Sequence, residues 1–235
     1  MLTQTAIRSA TVLPSTRPLH APRPVAAVAA SESRSLAQHM QLMGAAMAFA
    51  RNAEIFGENE PADYLYKLIS GTVRTYKILS DGRRQIGGFY LPGDVFGLEL
   101  GDEHTQSAEA MTDAKVLVIK RSALTGLAGR DATVARDLYT LTARELRRAQ
   151  DRLVLLIKSA QERVASFLLE MAERAPHGDA IELPMSRQDI ADYLGLTIET
   201  VSRTFTALEG LAAINVPTSR HIVLRNREAL SRMNG

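Results

Sequence analysis

No cysteine occurs anywhere in the 235 residues, and that absence closes several routes to function. Disulfides, a thiolate zinc site and a cysteine-ligated iron–sulfur cluster are all excluded, and with them any redox sensing through the chain's own thiols. There is no run of 18 apolar residues, so no membrane-spanning helix is expected and a cytoplasmic protein is. Charge of one sign is also lacking. The net charge is only +2, and from Arg174 onward basic and acidic residues are equal in number, so bulk charge cannot argue for a nucleic-acid partner. Histidine is sparse: His20, His39, His104, His177 and His221 stand at no helical or strand spacing that shares a metal, and no His-x-His cluster of the kind a cupin-type enzyme needs is present. No serine, histidine and acid arrangement suggests catalysis either. The residues present call for no cofactor and no metal.

At this length the chain suits about two domains, each able to bury its own core. Residues 1–31 carry Arg8, Arg17 and Arg23, no acid, and Pro14, Pro18, Pro22 and Pro24. That composition predicts a disordered tail, taken to run through residue 38; an organelle transit peptide would share its Arg-rich, acid-free character, whereas a secretory signal would need an apolar stretch it lacks. From about Phe56 to Ile119 short β-like segments follow one another, separated by Asp81-Gly82 and by Leu91-Pro92-Gly93-Asp94. Such corners point to an antiparallel β-roll or barrel, assigned to 39–130.

A long helix without internal glycine or proline is expected over roughly 131–158. Tyr139, Thr142, Leu146, Ala149, Leu153 and Leu156 repeat along it with heptad spacing, interleaved with Arg144, Glu145, Arg147, Arg148, Asp151 and Arg152. This is the pattern of a dimer helix, although one helix can also pack against its own roll on another face. A second helix is expected over about 160–174.

The segment 186–208, SRQDIADYLGLTIETVSRTFTAL, reads as two short helices about a tight corner. Ser186 and Asp189 make a capping-box-like start, and Ile190, Ala191 and Leu194 give one apolar stripe. Gly195 supplies the left-handed corner, and Thr197 caps the next helix. Val201, Phe205 and Leu208 then face inward, leaving Glu199, Ser202 and Arg203 outward. A carboxylate accepts from cytosine N4, a guanidinium donates twice to guanine O6 and N7, and a hydroxyl serves a base edge or a phosphate. Thr204 stands where such units usually bury an aliphatic side chain, and Phe205 is expected to take over its packing. Ile181-Glu182-Leu183 reads as a strand before the pair. AAINVPTSRHIVLR reads as a hairpin around Pro217-Thr218-Ser219-Arg220, a wing whose tip can meet phosphates; Arg220, Arg225 and Arg227 could form a local basic stripe. The C-terminal DNA-binding unit is assigned to 161–235.

β-roll, heptad helix and winged helix pair, in that order over about 40–230, resemble the cyclic AMP receptor protein and FNR superfamily of bacterial transcription regulators. DYLGLTIETVSR is similar to the FixK-type and FNR-type branch, whose Glu-x-x-Ser-Arg recognition helix reads a TTG…CAA palindrome. The resemblance implies an α+β architecture: an N-terminal antiparallel β-roll like a cyclic-nucleotide-binding domain, a long dimerisation helix at 131–160 and a C-terminal winged helix-turn-helix. It implies a homodimer on a palindromic double-stranded operator, mainly an activator, recruiting RNA polymerase and needing no membrane. Ile198, Glu199, Ser202 and Arg203 carry over as base readers. Ser186, Arg187, Thr197, Thr200, Ser219 and Arg220 are the phosphate-contacting candidates, and Tyr139, Thr142, Leu146, Ala149, Leu153 and Leu156 the dimer interface. Target genes in microaerobic respiration, denitrification or nitrogen fixation are implied in the same way.

Two departures shape the expectation. GLELGDEHTQSAEA keeps Gly97, Glu99 and Ser107 of the cyclic-nucleotide pattern but has Gln106 where an arginine would grip the cyclic phosphate, and a neutral amide cannot replace that charge-assisted fork. The N-terminal cysteine cluster of FNR-type oxygen sensors is missing, and Ser186 stands where a cysteine would be a redox handle. An effector-independent, FixK-type regulator is therefore expected. The competing reading is a ligand-gated or haem-gated sensor of the same superfamily, with His104 as the residue to watch.

Overall fold

The computed structural model describes residues 35–99, 101–155, 157–174 and 179–234. Helix α1, Leu36–Met43, opens on a reciprocal capping box between Ser35 and Gln38 and buries Leu36 and Met40. The expected tail boundary at 38 thus falls inside a helix; the rest of that expectation lies outside the described residues.

Eight strands follow: β1 Ala45–Phe49, β2 Glu54–Phe56, β3 Tyr64–Ser70, β4 Val73–Ile78, β5 Arg84–Tyr90, β6 Val95–Phe96, β7 Ser107–Ala110 and β8 Ala114–Lys120. They form two four-stranded antiparallel sheets, ordered β1-β8-β3-β6 and β2-β7-β4-β5. Phe56, Tyr66, Leu68, Val73, Phe96, Ala108, Ala110 and Val116 fill the space between the sheets. The turns work as their residues dictate. Gly82 and Gly93 take positive φ, 82° and 98°, and the amide of Asp94 donates to the Leu91 carbonyl across the Pro92-Gly93 corner. β1 was not expected, because its AAMAF sequence has little intrinsic strand preference; its full ladder with β8 supplies what propensity does not.

After a short helix α2, Arg121–Ala128, comes α3, Ala132–Leu155. It ends three residues earlier than expected. Ser159 and Glu162 form a second reciprocal cap, the Glu162 amide donating to Ser159 Oγ and the Ser159 amide to Glu162 Oε2, and this starts α4, Ala160–Arg174. Helix α3 uses two faces. Val134, Leu138 and Leu141 pack on the roll, and Arg148 bridges Glu145 and Asp94. A second face carries Tyr139, Leu146 and Leu153, between 59% and 76% exposed.

The C-terminal part comprises β9 Ala180–Glu182, α5 Arg187–Leu194, α6 Ile198–Gly210, β10 Ile214–Asn215, β11 His221–Leu224 and α7 Arg227–Asn234, with a three-stranded antiparallel sheet ordered β10-β11-β9. Its core of Phe167, Leu168, Met171, Ile190, Leu194, Val201, Phe205 and Leu208 is continuous with Ile86, Phe89 and Met111 of the roll. Among the described residues no helix is long and apolar enough to cross a membrane.

Candidate nucleic-acid interface

Helix α5 begins where Ser186 accepts from the Asp189 amide while the Asp189 carboxylate takes the Ser186 amide at 2.9 Å and its hydroxyl at 2.7 Å. It stops at Gly195, which sits at φ 63°, ψ 41°, a left-handed conformation that costs other residues more. Two residues on, Thr197 Oγ1 accepts from the Thr200 amide at 3.2 Å and opens α6. The corner is therefore set by three local devices, each readable in the sequence.

Val201, Phe205 and Leu208 point into the core, and Thr204 joins them at 8% exposure. Both of the adjacent positions are thus buried, rather than Phe205 substituting for Thr204. The threonine is tolerated because its hydroxyl donates to the Thr200 carbonyl at 2.8 Å, satisfying the buried polar atom within the helix. Ile198, Glu199, Ser202 and Arg203 are all exposed and share the outward face of α6. The amide of Glu199 itself and then the Thr197 hydroxyl hold its carboxyl below the ordinary value, and Arg203 one turn on adds to this; the group is an ionised acceptor. Thr206, also exposed and one turn beyond Ser202, extends the same face. It was missed, although the helical period alone places it there.

The phosphate candidates divide. Ser186, Thr197, Ser219 and Arg220 are exposed. The wing is a true hairpin whose Thr218 Oγ1 accepts from the amides of Arg220 and His221. Thr200 is half-buried and shares a hydrogen bond with Thr197. Arg187 does not reach outward: its guanidinium lies 3.5 Å from the centroid of the Phe205 ring, Nη1 is buried without a hydrogen-bond partner, and desolvation lowers its pKa. In this geometry it ties α5 to α6 by a cation–π contact.

On α3 the candidates Tyr139, Leu146 and Leu153 are exposed at heptad intervals, Thr142 is exposed with its hydroxyl donating to the Leu138 carbonyl, and Ala149 is half-buried. Leu156 lies outside the described residues. Ile157, 88% exposed, lies two residues past the end of α3 and was not among the expected positions.

In the roll, Gln106 packs over Gly87 so closely that a Cβ there would lie 2.1 Å from Gln106 Oε1. Glu99 accepts from the amide and hydroxyl of Thr105, and the Ser107 hydroxyl accepts from the Glu58 amide. Each of these side chains is engaged within the roll. His104 stacks on Phe56 at 3.6 Å with both ring nitrogens shut off from solvent. Desolvation pushes its pKa down, outweighing the nearby Glu99, so the ring is neutral. Among the described residues no three His, Cys, Asp or Glu side chains come together as a metal site.

Comparison with known proteins agrees with this geometry. Residues 162–233 match the Crp-like helix-turn-helix domain, and 46–131 the cyclic nucleotide-binding domain. The chain is 50% identical over 213 residues to the nitrogen fixation regulation protein FixK of Azorhizobium caulinodans, covering 88% of this chain and 86% of the relative. It is 43% identical over 195 residues to the protein of the same name from Bradyrhizobium diazoefficiens, covering 81% and 82%. The solved structure of FixK2 from Bradyrhizobium japonicum superposes with a TM-score of 0.79 at 51% identity, covering 82% of this chain and 98% of that one. With roll, long helix and helix-turn-helix all matched, this chain belongs to the Crp–FNR family of DNA-binding transcription regulators, as a FixK-like member.

Proposed function

We propose that the chain acts as a homodimer that reads a TTG…CAA palindrome without a small-molecule effector, recruits RNA polymerase as an activator in the cytoplasm, and serves nitrogen-fixation or microaerobic genes. The observation that carries the reading of DNA is the outward face of α6. Glu199, Ser202 and Arg203 present an acceptor, a hydroxyl and a bidentate donor within about one turn, on a helix of a width the major groove admits. Ile198 beside them offers a side chain to a thymine methyl group. Ser186, Thr197 and Thr200 at the helix starts and Ser219 and Arg220 on the wing supply backbone contacts.

The exposed stripe Tyr139, Leu146 and Leu153 supports the dimer, since a soluble chain keeps such a heptad row covered. In this reading the working divisions are the roll at 39–130, the dimerisation helix at 131–160 and the reading unit at 161–235. Effector independence rests on what fills the roll: Gln106 lies on Gly87, and Glu99 and Ser107 are bonded internally. Of the three arginines lining a cavity of about 490 Å³ between β5, α3 and α4, Arg148 and Arg174 are already paired with Glu145, Glu170 and Asp94, and Arg152 donates to the Arg148 carbonyl.

The test is fluorescence anisotropy of ligand-free protein with a duplex carrying TTGAT and ATCAA half-sites about one helical turn apart, beside a scrambled duplex, at two salt concentrations. Tight, sequence-dependent binding is expected. Weak, equal binding to both duplexes would refute effector independence and return the ligand-gated sensor.

A further inference from the structure

We infer that Arg74 and Arg84 of the roll are positioning residues for DNA reading, holding the helix-turn-helix in its working orientation through Asp189 and Asp192; the inference rests on the DNA-reading role proposed above. The two oxygens of Asp189 have different duties. Oδ2 accepts from Ser186 and caps α5. Oδ1 accepts from Arg74 Nη1 at 2.6 Å and from Arg84 Nη2 at 2.7 Å. Arg84 Nε reaches Asp192 Oδ2, one turn further along α5, at 2.8 Å, and Arg74 Nη2 is itself fixed by Glu109 of β7 at 2.9 Å.

Two adjacent strands of the roll thereby grip two points on the first helix of the reading pair. The Asp189 side chain is only 8% exposed, and beside it Phe89 meets Tyr193 and Phe167 ring to ring. Ion pairs of this kind are directional where apolar packing is not, so they fix the angle at which the reading unit stands on the roll. The clasp masks nothing, because Glu199, Ser202 and Arg203 remain exposed on α6. It is therefore an alignment device rather than an inhibitory one. A dimer meets both half-sites only when both units are aligned; if each unit kept that orientation a third of the time, apparent affinity would fall about ninefold.

The test uses the full chain with Arg74→Ala and Arg84→Ala together. The capping side of Asp189 is untouched by these changes. Duplexes holding one half-site, or two half-sites at the preferred separation and at one and two base pairs either side, are titrated with both proteins. The expected result is about tenfold weaker binding at the preferred separation, unchanged binding to the lone half-site, and a flattened dependence on separation. A retained separation profile, or equal loss on lone and paired half-sites, overturns the inference.

A second arm needs no DNA. Because the chain has no cysteine, Ser80→Cys and Ala207→Cys can carry spin labels on exposed sites of roll and reading unit, diluted with unlabelled chain. Their distance distribution should be narrow in the parent and broad without the two arginines; an unchanged distribution refutes the clasp even if the parent ignores TTG…CAA. If the double variant does not melt cooperatively, Arg84→Lys, which keeps the charge and loses the two-point grip, takes its place in both arms.

Discussion

Leu153→Lys should turn the protein into a monomer at concentrations where the parent is dimeric. Leu153 is 65% exposed in the single chain. Full burial of a leucine contributes about 1.5–3 kcal/mol, so covering the exposed share contributes about 1–2 kcal/mol. Two-fold symmetry counts each change twice, and about 2–4 kcal/mol corresponds to a dissociation constant raised by about 30- to 700-fold. An ammonium on either side of an apolar seam adds to that loss. Sedimentation velocity across a dilution series reads the shift directly, and palindrome binding by anisotropy should weaken in parallel while the thermal midpoint of the monomer is maintained. Leu211→Lys is the control: Leu211 is 59% exposed but lies just past the end of α6, away from the stripe. If Leu153→Lys remains dimeric at the parent's concentration, or if Leu211→Lys dissociates the protein equally, the stripe on α3 is not the seam.

Arg203→Ala should cost about 1–3 kcal/mol at the guanine it reads and relax selection there, whereas Glu199→Ala should relax selection with less loss of raw affinity; binding competitions over base-substituted duplexes would expose equal loss on every sequence. Phe167→Ala, at 1% exposure and in ring contact with Phe89 and Tyr193, should lower stability by about 3–5 kcal/mol, and a denaturation midpoint close to the parent's would contradict the shared core. Burial raises the Asp189 pKa, but Ser186 hydrogen bonds and then Arg74 and Arg84 outweigh it, and the net shift is downward. A depressed carboxylate contributes stability that is full above its unfolded pKa of about 3.9 and is lost as pH falls through the lower folded value. The thermal midpoint gap between the parent and Asp189→Asn should therefore be widest near neutrality and close in acid; a gap independent of pH argues against the charge.

The reading helices were legible because their signals are local. Ser186 with Asp189, Gly195 and Thr197 act within three residues of where they stand, and the 3.6-residue period separates Val201 and Leu208 from Glu199 and Arg203. The corners at Gly82 and Gly93 were legible for the same reason. β1 was not, since Ala45 to Phe49 become a strand only by pairing with β8, far along the chain. Nor was Arg187: nothing in an exposed-looking helix start announces that its guanidinium will lie on Phe205. Asp189 is the clearest case. The sequence shows its capping role, while its partners Arg74 and Arg84 are 115 and 105 residues away and share no period with it.

The apolar cluster running from Ile86 and Phe89 through Phe167 and Met171 has a thermodynamic consequence. Where two modules meet only through a linker, each melts at its own temperature and either can be cut away intact. Here neither can shed the other without wetting large aromatic surface, so heat should produce one calorimetric transition, and amides in α5 should exchange as slowly as those in β4. Destabilising a strand of the roll should then be felt in α5 and α6.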